Sequence, residues 1–74
     1  MARRMTKRSV RIAGHATSLS LEEEFWRELQ ALARSRHISV NRLIASVDDT
    51  RAGNLSSALR LHVLQALKRR LNRG

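Results

Sequence analysis

The sequence predicts a mostly α-helical protein with one short β-strand, and three observations lead there. Thr17, Leu19 and Leu21 alternate with Ala16, Ser18 and Ser20, the period of a half-buried strand. After Leu21, apolar residues recur at helical spacing in three successive blocks. The chain has no proline, and Gly14 and Gly53 fall between the blocks, so glycine and the helix caps mark the boundaries.

The first fourteen residues, MARRMTKRSVRIAG, hold Arg3, Arg4, Lys7, Arg8 and Arg11 and no acid. No apolar stretch follows them as it would in a secretory signal, so residues 1–13 are expected to be a basic arm. The strand is expected over about 15–20. Were it to continue unbroken towards the N-terminus, Val10 and Ile12 would share the outward face of Ser18. A bulge at Gly14 is expected instead, which buries Val10 and Ile12 and turns Arg11 outward.

Helix one is expected over about 21–36. Ser20 and Glu23 fit the S-x-x-E capping box, and Glu22 to Glu24 suit the positive end of the helix dipole. Phe25, Leu29, Leu32 and Ala33, with Trp26 beside them, form one apolar stripe. Helix two, about 39–51, opens on Ser39 as N-cap, with Ile38 and Leu43 placed to staple its first turn, and presents Val40, Leu43, Ile44 and Val47. Helix three, about 54–71, opens on Asn54. Its apolar positions Leu55, Leu59, Val63, Leu64, Ala66, Leu67 and Leu71 cover about half the circumference, which predicts contact with two neighbours.

Seventy-four residues make one domain, 14–74 beyond the arm, with a marginal core of its own. There is no cysteine, and His15, His37 and His62 lie too far apart to suggest a metal site. No spacing of serine, histidine and carboxylate builds a catalytic group, so neither enzyme activity nor a cofactor is expected. No apolar run approaches the roughly 20 residues of a membrane span. The formal charge is +9, concentrated in the arm and in Lys68, Arg69, Arg70 and Arg73, while the middle is neutral. A neutral body with basic ends suits a polyanion, nucleic acid first and acidic membrane second. A lone strand has unpaired edges, and antiparallel pairing with a second copy is the expected remedy, over a shared core of Thr17, Leu19, Leu21, Phe25, Leu29, Leu32, Val40 and Ile44.

The strand-to-helix segment TSLSLEEEFWRELQALA and the helix-two opening ISVNRLI resemble the ribbon-helix-helix family of bacterial DNA-binding proteins, over His15 to about Thr50. The resemblance implies an intertwined homodimer with a two-stranded antiparallel ribbon in the DNA major groove, here with an extra or extended C-terminal helix. It further implies a small transcriptional regulator, cytoplasmic and associated with the nucleoid. The base-contact candidates would be Ala16, Ser18 and Ser20, none of which carries a bidentate side chain. Ser39, Val40 and Asn41 would hold a phosphate at the start of helix two, with Lys7, Arg8 and Arg11 of the arm as further phosphate contacts. A register in which Asn54 opens the phosphate contact is the minor variant. The rival functions are an antitoxin-type or adaptor protein whose C-terminal helix binds a protein, and an interaction protein whose basic ends meet RNA or lipid.

Plainer roles compete for several residues. Ser20 can serve as a helix cap, Lys68 to Arg73 answer the dipole of the helix they end, and Trp26 and His62 suit a core or dimer contact better than a ligand.

Overall fold

The computed structural model describes residues 4–50 and 53–72. Five elements follow in order: β1 (Met5–Ile12), β2 (His15–Glu22), α1 (Glu23–Ser35), α2 (Val40–Thr50) and α3 (Leu55–Asn72). The two strands pair antiparallel from Met5 opposite Glu22 to Ile12 opposite His15. The expectation of one strand is therefore corrected to two, and most of the stretch read as a basic arm is the strand that pairs with β2. Its residues explain the pairing. In TKRSVRI, Thr6, Val10 and Ile12 are β-branched and fall at every second position or multiples of it, a strand pattern overlaid by the basic residues between them.

The connection is a two-residue turn, not a bulge. Ala13 and Gly14 have φ of 52° and 81°. Positive φ at both central positions is the signature of a type I′ turn, whose twist matches that of the strands it joins. Glycine meets that demand freely, whereas alanine costs about 1–2 kcal/mol. The turn still gives the phase expected of the bulge: Val10 is buried, Ile12 half-buried and Arg11 exposed. Arg3 and Arg73, counted among the basic ends, and Arg51, the expected end of helix two, lie outside the described residues.

The boundaries of α1 are also corrected. β2 continues to Glu22, which occupies the N-cap position with extended backbone and makes no side-chain cap. The expected capping box does not form, because the strand runs past Ser20 to Glu22, and Ser20 and Glu23 make other contacts. The Ser20 carbonyl accepts a hydrogen bond from Ser56 Oγ at 3.2 Å, and Glu23 Oε2 accepts one from Thr6 Oγ1 at 2.6 Å. The other two caps form as expected. Arg42 N–H donates to Ser39 Oγ at 3.0 Å, and Ser57 N–H donates to Asn54 Oδ1 at 3.1 Å.

The core lies between one face of the hairpin and the three helices. Leu19 and Leu21 of the ribbon meet Trp26 and Leu29 of α1, Leu43, Ile44 and Val47 of α2, and Leu59 and Val63 of α3. Each large side chain so buried contributes about 1.5–3 kcal/mol, so hydrophobic packing holds the ribbon on the helices. The stripe of α1 centres on Trp26, Leu29 and Ala33, with Phe25 and Leu32 half-buried at its margins. Of the residues assigned to a core shared between two copies, Leu19, Leu21, Leu29 and Ile44 are buried within one chain, Val40 is half-buried and Thr17 is exposed. Helix α3 buries only one side. It packs against both α1 and α2, the two neighbours expected for it, while Leu61, Leu64, Leu67 and Leu71 on its other side are exposed.

Leu19→Asp places a charge in this core and is expected to unfold the protein, since an unpaired buried charge costs more than a small domain's whole margin. Far-UV circular dichroism of the variant should show lost helix. Gly14→Val is milder: open space surrounds the glycine, and only the backbone conformation is penalised, by about 1–2 kcal/mol, read as a lower urea midpoint.

Candidate nucleic-acid interface

Side chains directly opposite one another in a two-stranded ribbon share a face, and successive residues alternate between faces. The register therefore sorts the hairpin completely. Thr6, Arg8, Val10, Ile12, His15, Thr17, Leu19 and Leu21 lie on the side of the helices. Lys7, Ser9 and Arg11 of β1 share the other side with Ala16, Ser18 and Ser20 of β2, paired as Lys7 with Ser20, Ser9 with Ser18 and Arg11 with Ala16, and the Met5 and Glu22 pair closes that side at the far end of the ribbon. Of the three pairs between the turn and that end, all six residues are exposed except Ser20, which is half-buried. The three expected base-contact candidates thus lie together, and β1 sets two long cations opposite the small Ala16 and Ser20.

Arg8 is separated from this group. Its guanidinium lies 5.2 Å from the centroid of the Trp26 ring and 3.9 Å from Glu23 Oε1. Trp26 donates its indole N–H to the Thr6 carbonyl at 2.8 Å, and Glu23 N–H donates to the Arg4 carbonyl at 3.0 Å. Thr6, Arg8, Glu23 and Trp26 form a clasp that fixes the start of β1 to the first turn of α1. The Thr6 hydroxyl holds the Glu23 carboxyl below its usual pKa; partial desolvation opposes it, and Arg8, Arg27 and Arg4 reinforce it. At the other side of β2, Glu22 accepts from Arg60 Nε at 2.9 Å, tying the ribbon to α3.

The start of α2 is set by the end of α1. His37 takes a φ of 58°, His37 N–H donates to the Arg34 carbonyl at 3.1 Å, and Ile38 N–H donates to the Ala33 carbonyl at 3.0 Å. That pair of bonds is a Schellman motif with histidine where glycine is usual. It turns the chain so that Ile38 packs against the core and Ser39 caps α2. Leu43 N–H makes the first intrahelical bond, to the Ser39 carbonyl, so the amides of Val40 and Asn41 precede it at the positive end of the helix. Ser39 and Asn41 are exposed and Val40 is half-buried, so the three expected phosphate-contact residues open the helix together.

Other singled-out residues take structural places. Trp26 is core. His62 lies with Nε2 3.3 Å from an Arg36 guanidinium nitrogen, and burial first, then Arg36 and Arg69, lower its pKa. Among the described residues no cluster of histidine and carboxylate could hold a metal ion. No described helix is long and apolar enough to cross a membrane.

A hairpin ribbon followed by capped helices invites comparison with known proteins, and a family model described as a ribbon-helix-helix domain matches residues 5–67. The chain belongs to the ribbon-helix-helix domain family. The matched span begins at β1, ten residues before the segment that carries the sequence resemblance, and ends inside α3. The fold is similar to that of an uncharacterized protein from Bordetella pertussis Tohama I, with 32% identity over 90% of this chain and a TM-score of 0.73. The match spans 60% of that longer protein. No curated protein matches the sequence. Ribbon-helix-helix proteins are typically non-enzymatic DNA-binding proteins, and their domains usually dimerise.

The clasp predicts a pH dependence. A carboxylate whose pKa is lower folded than unfolded adds stability above its unfolded pKa and loses that contribution as pH falls through the folded value. Glu23→Gln should therefore melt at a lower temperature than the parent at neutral pH, and the gap should close as the medium is acidified below the ordinary glutamate range. Melting curves across pH check this, and a gap that persists in acid would contradict it.

Proposed function

We propose that this protein is a small DNA-binding transcriptional regulator that lays the outer face of its β1–β2 hairpin in the major groove and anchors a phosphate at the start of α2. The observation that supports this most is the sorting of the hairpin: five exposed residues, two of them cations, and the half-buried Ser20 stand on one face while the core residues take the other, and the one acid at the end of that face, Glu22, is tied to Arg60. The major groove is about 12 Å wide and admits a two-stranded ribbon. Arg4 and the outward Lys7 and Arg11 supply positive charge, and the amides of Val40 and Asn41 offer donors to a phosphate oxygen. Arg8 acts in the clasp rather than on DNA. Catalysis and a cofactor have no part in this reading, and the protein works where chromosomal DNA is, in the cytoplasm.

A homodimer belongs to the same reading. Counting from the turn, antiparallel alternation directs the carbonyls of Ala16, Ser18 and Ser20 away from β1. The last of these is the one that Ser56 engages. The outer edge of β2 is thus open to the β2 of a second copy across a two-fold axis, in which case the two central β2 strands would be the pair that enters the groove, with the β1 strands and their cations at its rims.

A second reading rests on α3. Its exposed Leu61, Leu64, Leu67 and Leu71 suit a protein partner, as in an antitoxin or adaptor that also binds DNA. RNA or lipid at the basic ends is the remaining rival, and duplex titrations discriminate among these.

Fluorescence anisotropy with random-sequence duplex should give an affinity that falls steeply with added salt. Asn41→Asp should weaken binding to every duplex about fivefold, the scale of ~1 kcal/mol for like charges near 4 Å in water. The same change leaves the fold intact, because an acid in the first helical turn is favourable. Unchanged affinity would remove the α2 start from the interface. Absence of salt-dependent duplex binding would overturn the DNA reading as a whole.

A further inference from the structure

The C-terminal halves of α1 and α3 leave an open groove of about 880 Å³ between them. Its apolar lining is Ala31 and Leu32 from α1 with Val63, Ala66 and Leu67 from α3. Leu64 and Leu71, three residues before Leu67 and four after it, carry the apolar surface over the outer flank of α3. Arg36, Arg69 and Arg70 line the groove as well, against one acid, Glu28. All three arginines are exposed, and among the described residues none of them makes an ion pair; Arg36 lies against His62 instead. Helix α3 holds no acid over Leu55–Asn72. None of these residues belongs to the ribbon or to the start of α2, so the DNA-binding reading leaves the groove without a role.

From this arrangement we infer that the groove seats an acidic amphipathic helix of another protein, with apolar side chains along Leu32, Ala66 and Leu67 and carboxylates against Arg36, Arg69 and Arg70. This gives a place and a chemistry to the protein partner of the second reading above, and it needs no duplex. A helix is about 10–12 Å across and enters a groove through anchors at i, i+3 or i+4 and i+7, so a strip walled by two helices suits it. Ala31 and Ala66, one on each wall, let a third helix come close. The unpaired arginines then choose its sign. A second copy of this chain is the wrong occupant, because it would bring the same arginines to the contact, and its α3 has no acid to answer them. A nucleic acid would leave the leucines unmatched. A lipid surface, being flat, would not reach the buried Val63 and half-buried Ala66 in the hollow.

Selection from a random library of displayed peptides against the full chain tests this. The enriched peptides should be rich in Asp and Glu and carry apolar residues at i, i+3 or i+4 and i+7. A dye-labelled synthetic copy of one of them is then titrated by anisotropy with the parent, with Ala31→Gln, and with Arg69→Glu and Arg70→Glu together. Circular dichroism confirms that each is folded, as expected for exposed positions. Reversing both charges should weaken binding by about tenfold or more and flatten its dependence on salt. Ala31→Gln keeps the charges and fills part of the groove, so it should weaken binding by about fivefold or more, a change that a purely electrostatic contact would not show. No enriched peptide, enrichment without an acidic bias, or acidic peptides that bind both variants as well as the parent would overturn the inference. So would random-sequence duplex or phosphatidylserine vesicles whose binding is lost in Ala31→Gln, or a parent dimer that Ala31→Gln splits in sedimentation, since each gives the groove a different occupant. Failure of the DNA-binding reading would leave the peptide result standing, because no duplex is present in that titration.

Discussion

The rest of the molecule depends on the turn at Ala13 and Gly14. Two consecutive residues with positive φ reverse the chain in the shortest way available and fix the register of eight residue pairs behind them. Because side chains alternate with a period of two, that register decides at once which residues enter the core and which meet solvent. A slip of one residue would put Lys7, Ser9 and Arg11 on the face of Leu19 and Leu21, so that either the leucines would meet water or the cations would be buried. The hydrophobic core and the cationic face are two consequences of one backbone constraint.

Packing and polar contacts then hold the ribbon where the turn has put it. Leu21, Trp26 and Leu29 close the junction between β2 and α1, and the Thr6, Arg8, Glu23 and Trp26 clasp brings β1 into the same junction. The clasp is half exposed, so its ion pair is screened by solvent and its chief work is orientation. It also divides the arginines by role. Arg8 is spent on Trp26 and Glu23, whereas Arg11, on the opposite face near the turn, stays available. A similar division appears at α2, where the Ser39 side chain answers the Arg42 amide and leaves those of Val40 and Asn41 ahead of the first helical bond.

Much of this was legible in the sequence. The three helices, the caps at Ser39 and Asn54, the buried face of α2 and the place of Trp26 follow from spacing and residue type. The first strand was hidden because its period of two is overlaid by five basic residues in twelve, which resemble a solvated arm, and because Ala-Gly is a weak turn signal beside Asn-Gly or Asp-Gly. With β1 concealed, β2 looks like a lone strand in need of a second copy, although its partner lies just before it in the same chain. Ser20 fitted a capping box by type, but the strand's continuation to Glu22 moved the helix start past it. For the site, the outward positions on β2 were readable by alternation, while Lys7 and Arg11 could be joined to them only through the pairing. The bond pattern at His37 had no sequence signal, since glycine, its usual mark, is absent.

A chain that makes its own ribbon differs from one that must borrow a strand, and the absence of native cysteine allows a clean decision between them. Ser9 and Ser18 face each other on the outer side, and counting from the turn makes them a pair without mutual backbone hydrogen bonds, the closer-set kind. The double substitution Ser9→Cys, Ser18→Cys, oxidised at low protein concentration and run without reductant, should yield a disulfide within one chain and a monomeric band, with linkage confirmed by mass spectrometry. Quantitative linkage between chains through these two positions would show that the ribbon is assembled from two molecules and would contradict the account.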